Sequence, residues 1–341
     1  MSDPKDDPKT TRVDPAKGGV DRRDFLKLGA AATVGFLARD VAGAAPQTLP
    51  PLPENPRTRD AMPTRNLGQT GYRTAIFSLG GQAAIEQPNN DAVAVPIVER
   101  ALDLGVNYID TAAAYGRPDR WSQRYIGQVI KRRRRETFLA TKTHDRTRDG
   151  SLKLLEDSLA LLQTDHLDLW QIHNLSRMEQ VDQIFAPDGA VKALLEAREQ
   201  KIVRHLGVTG HADPHVLAEA IRRFPFDTIL MALNAADKHH LSFIDHLLPL
   251  AVEKQMGIIG MKVPARGRIL GSNGITMREA YNYVLSLPIS TVIIGVDSIP
   301  QLEENIALAR TFNPLNDAQM AQLAARVEPI HRDALFFRRW T

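Results

Sequence analysis

Leu104-Gly105-Val106-Asn107-Tyr108-Ile109-Asp110-Thr111-Ala112-Ala113-Ala114-Tyr115-Gly116 joins two kinds of structure and decides how the chain is read. Behind it, Asp91 to Leu104 places apolar residues at helical spacing, and Gly105 stands where a helix ends in a left-handed residue. Val106 to Asp110 then alternates. Val106, Tyr108 and Asp110 share one face of a strand, and Asn107 and Ile109 share the other. The strand stops at a carboxylate, and a loop of small residues brings a phenol five positions later. A helix closed by glycine and followed by a short apolar strand is the repeating unit of a parallel sheet.

The same unit recurs in both directions. Upstream, Gly68-Gln69-Thr70-Gly71 is a turn signal between two short runs, which predicts a hairpin, and Ala75 to Leu79 reads as a strand ending at Gly80-Gly81. Downstream, helices are expected over 121–133, 150–162, 188–200, 213–223, 241–255, 276–286 and 300–310. Strands are expected over 136–142, 167–173, 203–209, 227–233, 257–262 and 290–295. Eight strand–helix units in about 250 residues predict an α/β fold, a (β/α)8 TIM barrel over residues 64–312 with an N-terminal β-hairpin. A doubly wound sheet is the alternative on pattern alone. Residues 313–341 are a C-terminal extension. It contains an extra helix near 315–328 and an aromatic, basic tail over 334–340 that either folds back over the barrel mouth or packs on the surface.

The composition narrows the chemistry. Hydrophobic residues make up 43% of the 341, enough for a large core, and a net charge of +3 does not describe a nucleic-acid surface. The chain has no cysteine, which removes disulfides, thiolate metal sites and cysteine nucleophiles together. Residues 1–45 read as an export signal. A polar, proline-containing start leads to Arg22-Arg23-Asp24-Phe25-Leu26-Lys27, then a weakly apolar run over 28–38, then Ala42-Gly43-Ala44 as a cleavage pattern. The paired arginines resemble a twin-arginine (Tat) signal, with Asp21 where Ser or Thr is more usual. That implies the Tat translocase as a transient partner, a periplasmic or secreted product, and no stable membrane anchor after cleavage. An amphipathic N-terminal helix is the plain alternative. Residues 46–63, rich in proline, are expected to be an extended linker.

In parallel barrels the active site lies at the carboxyl ends of the strands. Three neighbouring strands here end in ionisable groups: Asp110, Lys142 and His173. Period-2 counting puts Phe138, Ala140 and Lys142 on one face, and Leu167, Leu169, Gln171 and His173 on one face. Each residue alone is better explained as a solvated lysine, a core histidine or a helix cap. Together with Tyr115 they suit proton delivery to a carbonyl oxygen. A phenol is a poor acid at neutral pH, and an adjacent ammonium lowers its pKa. The expectation is that Lys142 lowers Tyr115, Asp110 holds Lys142, and His173 orients a substrate oxygen.

With these residues in place the chain resembles the aldo-keto reductase family over roughly residues 64–312. The resemblance is carried by Gly105 to Gly116, Phe138-Leu139-Ala140-Thr141-Lys142, Leu167-Asp168-Leu169-Trp170-Gln171-Ile172-His173, Leu206-Gly207-Val208-Thr209-Gly210, and Gly295 through Gln301-Leu302-Glu303-Glu304-Asn305. It implies an Asp110–Tyr115–Lys142–His173 tetrad with Tyr115 as general acid, a small-molecule carbonyl or alcohol substrate, and NADP(H) or NAD(H) lying extended across the barrel mouth. It implies further that Thr209, Met261, Lys262, Gly295, Asp297, Gln301, Glu304 and Asn305 hold that cofactor. Leu230 replaces a commoner Gln, Met261 a commoner aromatic ring, and Asp297 a commoner Ser. A carboxylate at 297 disfavours a 2′-phosphate and leaves NAD(H) open.

Two other readings compete. A barrel metallohydrolase usually carries an H-x-H pair on its first strand, which Phe77-Ser78-Leu79 lacks, and the adjacent His239-His240 are badly placed to chelate one ion, so no metal is expected. A non-catalytic barrel, used as a cofactor-sensing or binding subunit, would need no intact tetrad.

Overall fold

The computed structural model describes residues 48–339; the stretch read as an export signal and Trp340 lie outside them. Eight strands form a closed, wholly parallel barrel: β3 (Phe77–Ala83), β4 (Tyr108–Asp110), β5 (Phe138–Thr143), β6 (Leu167–Ile172), β7 (Val203–Gly210), β8 (Thr228–Ala232), β9 (Gly257–Met261) and β10 (Thr291–Val296), with β10 pairing back onto β3. The doubly wound alternative is thereby removed. The parity read from the sequence holds inside the barrel. Tyr108, Phe138, Ala140, Leu169, Leu230, Ile259 and Ile293 form one buried cluster, while Asp110 and Lys142 lie two residues further along the same faces.

The hairpin, β1 (Thr64–Asn66) and β2 (Arg73–Ala75), closes the amino-terminal end of the barrel. Its turn inserts Leu67 and Tyr72 into the interior cluster, with the Tyr72 ring stacked 4.7 Å from Phe138 and its hydroxyl donating to Asn107 O at 2.6 Å. Burying two such side chains contributes roughly 1.5–3 kcal/mol each. Asn107, on the face of its strand opposite Asp110, fixes the hairpin by donating to Arg73 O and accepting from Ala75 N, both at 2.9 Å. Gly68 turns this loop with φ +54°, and a Cβ there would lie 2.2 Å from Gly257 N, so the position requires glycine.

Four expectations change. Strand β3 does not stop at Gly80-Gly81 but runs through them to Ala83. These glycines mark close packing, since a Cβ on Gly81 would meet Ser122 Oγ at 2.4 Å. The single helix expected over 241–255 is two, Phe243–His246 and Leu248–Glu253, because Pro249 begins a new helix after Leu247 leaves helical geometry. A further helix, Met178–Phe185, precedes the one at Ala190–Glu199. The proline-rich segment has no regular structure over 48–55, then turns into the short helix Thr58–Ala61, so it is not an extended linker to residue 63, and it is seated on the barrel. Leu52 packs on the interior cluster, Asn55 donates to Leu102 O and Val106 O at 2.8 and 3.1 Å, and Thr58 donates to Gly105 O at 2.8 Å.

The extra C-terminal helix is Asp317–Val327, opened by a capping box between Asn316 and Gln319. The tail then folds back over the loops after β7 and β8. Phe337 is buried edge-on to His211, and Arg338 donates to His211 O at 3.0 Å, pairs with Asp237, and lies 4.1 Å from the Phe243 ring centroid.

Candidate active site

Asp110 is the last residue of β4, and Lys142 is the penultimate residue of β5. Both are inward-facing, so their charges meet at the carboxyl end of the barrel with almost no water: Lys142 is 1% exposed and Asp110 2%. The ammonium pairs with Asp110 and also donates to Thr111 O at 2.8 Å. Gln171 of β6 donates to the second carboxylate oxygen of Asp110 at 3.1 Å. Burial raises the Asp110 carboxyl and lowers the Lys142 ammonium, and each partner's charge opposes the other's drift to neutrality.

Tyr115 hangs over this pair on the loop after β4. The loop turns through Tyr115 N donating to Ala112 O at 3.1 Å, and through Gly116 at φ +72°, where a Cβ would lie 2.7 Å from Glu86 O. His173 follows the end of β6. Its ring stands edge-on to Tyr115, centroids 5.7 Å apart and planes at 82°, and Lys142 Nζ lies 5.0 Å from the centre of the same phenol ring. All four residues expected in the tetrad are thus gathered in one place.

The electrostatics differ from expectation in one respect. The Tyr115 hydroxyl is held well above its ordinary value by burial, then by the negative charges of Asp110 and Glu86, against the pull of Arg266. Lys142 is paired with Asp110, and the balance of these influences raises the phenol instead of lowering it. His173 is pushed well below the ordinary imidazole range by burial and by the nearby positive Lys142, and is neutral at pH 7.

A cavity of about 450 Å³ opens beside Tyr115 and Asp110. Its walls include Gly80–Ala83 of β3, Leu230 of β8, Met261 at the end of β9 and Lys262 after it, and Ile293–Gly295 of β10, with Asp297, Gln301 and Asn305 beyond. Six of the eight residues expected to hold a cofactor therefore line one space. Thr209 does not: its hydroxyl accepts from Asn174 N at 2.8 Å, tying the β6 loop to the end of β7. Glu304 is exposed on the helix Ile299–Arg310 and also lies outside the lining. Trp121, which opens the helix Trp121–Arg133 after the Tyr115 loop, stacks on Tyr125 at 5.7 Å and lies outside the lining. Gln301 is engaged internally, accepting from Asp297 N at 2.6 Å.

The lining fits a nicotinamide nucleotide. Leu230, Met261 and Ile293 offer an apolar wall for a flat ring, Lys262 and Arg266 offer cations for phosphate, and Asn305, 3% exposed, has an amide Nδ2 with no hydrogen-bond partner among the described residues. The loop that carries the cations is bent by left-handed Lys262, Ala265 and Arg266, at φ 62°, 50° and 54°. Sequence reading overlooked Gln171, Glu86 and Arg266. Gln171 had a signal, a polar residue on the inward face of an otherwise apolar strand, whereas Glu86 and Arg266 reach the cavity from loops without a pattern.

Residues 77–278 match the model of the aldo/keto reductase family, more than half of the chain. The chain belongs to the aldo/keto reductase family. Among relatives of this aldo-keto reductase, an uncharacterized oxidoreductase of Bacillus subtilis, YqkF, is 25% identical over 295 residues, covering 73% of this chain and 91% of that protein. The L-galactose dehydrogenase of Arabidopsis thaliana is 24% identical over 309 residues, covering 78% and 94%. Among solved structures, the holo form of the aldo-keto reductase AKR11C1 from Bacillus halodurans superposes with a TM-score of 0.66 at 22% identity, covering 78% of this chain and 96% of that one, and supports the fold. The aldo-keto reductase is accordingly an oxidoreductase, of a family that uses NAD(P)H.

Proposed function

We propose that this aldo-keto reductase reduces a carbonyl compound to an alcohol, with Tyr115 as proton donor. The observation that carries the reading is the phenol of Tyr115 held between His173 and the Lys142–Asp110 pair, at the edge of the cavity. The cavity's lining would hold a nicotinamide nucleotide, whose chemistry would be hydride supply to a carbonyl carbon. Neutral His173 donates a ring N–H to the carbonyl oxygen and, with Tyr115, fixes its direction. The phenol, kept protonated by burial and by Asp110 and Glu86, transfers its proton to that oxygen as negative charge develops there. Lys142 Nζ, 5.0 Å from the ring centre, stabilises the phenolate left behind. Asp110, itself held by Gln171, keeps Lys142 in place.

Replacing Tyr115→Phe removes the donor and keeps the ring. Loss of about 10²–10⁴ in kcat is expected with nucleotide binding retained; near-full activity of the variant would refute the mechanism. Tight nucleotide binding without turnover of any aldehyde or ketone by the unaltered protein would favour the binding-subunit reading.

The sequence supports export by the twin-arginine route to the periplasm or beyond, from a segment outside the described residues. Arg22→Lys with Arg23→Lys should leave the protein in the cytoplasm, and secretion unchanged by the double substitution would overturn the address.

A further inference from the structure

The loops after β4, β5 and β6 carry a second group of charges that does not line the nucleotide cavity. Arg117 and Arg120 share a loop with Tyr115, His144 and Arg146 follow β5, and Arg177 follows His173 beyond β6. They act on one another. His144 feels Arg117, Arg120 and Arg146; Arg146 feels Arg177; His173 feels both Arg146 and His144. Two carboxylates face them. Asp157 accepts from Arg120 at 3.3 Å, and Asp145 is already occupied by Thr147 N and Oγ1 at 2.8 and 2.7 Å. Four guanidinium groups thus confront two acids, with His144 neutral because burial and the arginines push it down to about 4.

Several of these donors are buried and unused. Arg146 gives one nitrogen to Asn174 O at 2.9 Å, but its Nη1 has no hydrogen-bond partner among the described residues, and the same holds for Arg120 Nη1 and His144 Nδ1. A buried guanidinium left partly unmatched is costly. Reduction of an uncharged aldehyde gives it nothing to do. Guanidinium forks match the paired oxygens of a carboxylate or phosphate. We propose that this cluster binds an anionic group on the substrate, so that the carbonyl compound reduced here carries a carboxylate or a phosphate beside the reacting carbon chain. The assignment rests on the reductase reading above, because it names the substrate class of that reaction. Arg146, whose charge acts on His173 and which lies outside the cavity lining, places the anion near His173.

The test pairs charged and uncharged substrates on the full-length protein with its nucleotide. 4-Oxobutanoate is compared with butanal, and glyceraldehyde 3-phosphate with glyceraldehyde, by kcat/KM. The charged member should be favoured by about tenfold or more in one pair, and which pair it is separates carboxylate from phosphate. Arg146→Gln should reduce that preference by about tenfold. Arg117→Gln, at an exposed position where folding is safe, should reduce it in the same direction. Equal kcat/KM within both pairs, or a preference untouched by both substitutions, overturns the proposal. Calorimetric titration with butanedioate and with inorganic phosphate tests the site without turnover. If no aldehyde is reduced, the reductase reading fails. Anion binding weakened in Arg146→Gln or Arg117→Gln would still sustain the cluster, and absence of binding would overturn it.

Discussion

Lys142 and Asp110 stand on adjacent parallel strands and face each other as an ion pair closed off from solvent, with Gln171 bonded to the far oxygen of the carboxylate at 3.1 Å. Such a pair is costly to bury and costlier to break. Lys142→Met leaves a buried carboxylate with one neutral donor, so a loss of about 3–5 kcal/mol is expected. Combining it with Asp110→Leu removes the orphaned charge and should recover much of that loss, while turnover stays absent. Urea unfolding midpoints of the three variants check this. A double variant no more stable than Lys142→Met would mean that the pair contributes through shape and not through charge.

Three histidines near the barrel mouth are held neutral: His173 well below its ordinary range, His144 at about 4 and His211 at about 3, each chiefly by burial. In the unfolded chain the same groups protonate near 6.5. The unfolded state therefore binds more protons in the window between the folded values and 6.5, and stability is lost as pH falls through that window. Each imidazole contributes a slope of up to ~1.4 kcal/mol per pH unit. Unfolding midpoints at pH 7, 6 and 5 should fall progressively, and His211→Asn should lower the slope by about one proton. A midpoint unchanged from pH 7 to pH 5 would contradict the burial.

What could be read ahead of the structure was whatever repeats. The barrel follows from eight alternations of period, and the inward face of each strand from counting by two, which is why Asp110, Lys142 and His173 were placed together correctly. What was missed depends on contacts between segments remote in the chain. Gly80 and Gly81 read as a strand end because nothing local announces that Ser122 packs where a side chain would go. The proline-rich stretch read as a tether because proline content does not reveal that Asn55 caps backbone carbonyls of Leu102 and Val106. The same reason explains Tyr115. A lysine nearby suggests a lowered phenol, but the sign depends on Asp110 and Glu86, whose distances no spacing encodes.

Asp297 is exposed on the cavity wall, and its backbone N–H is taken by Gln301. A carboxylate there repels a 2′-phosphate and suits a free ribose hydroxyl. NAD(H) should bind more tightly than NADP(H). Asp297→Ser should narrow or reverse the ratio by about tenfold at low salt and by less at 0.5 M, since an exposed charge is screened. Fluorescence titration with both nucleotides decides it, and a preference for NADP(H) in the unaltered protein would show that Lys262 or Arg266 outweighs Asp297.

Lys262 lines the cavity and is expected to make nucleotide binding depend on pH. Its ammonium is pushed down to about 8 by burial and by Arg266, against the pull of Glu86. A nucleotide phosphate brought beside it adds negative charge and holds the proton on, raising that value in the complex. Binding then takes up a proton above about pH 8, and affinity falls as pH rises through that window, by at most tenfold per unit. Lys262→Met should weaken binding at pH 7 and abolish the fall between pH 8 and pH 9.5. Dissociation constants for the nucleotide at pH 7, 8 and 9.5 measure both effects. An affinity that stays level to pH 9.5 in the unaltered protein would place the phosphates away from Lys262, and would leave Arg266 as the cation that holds them.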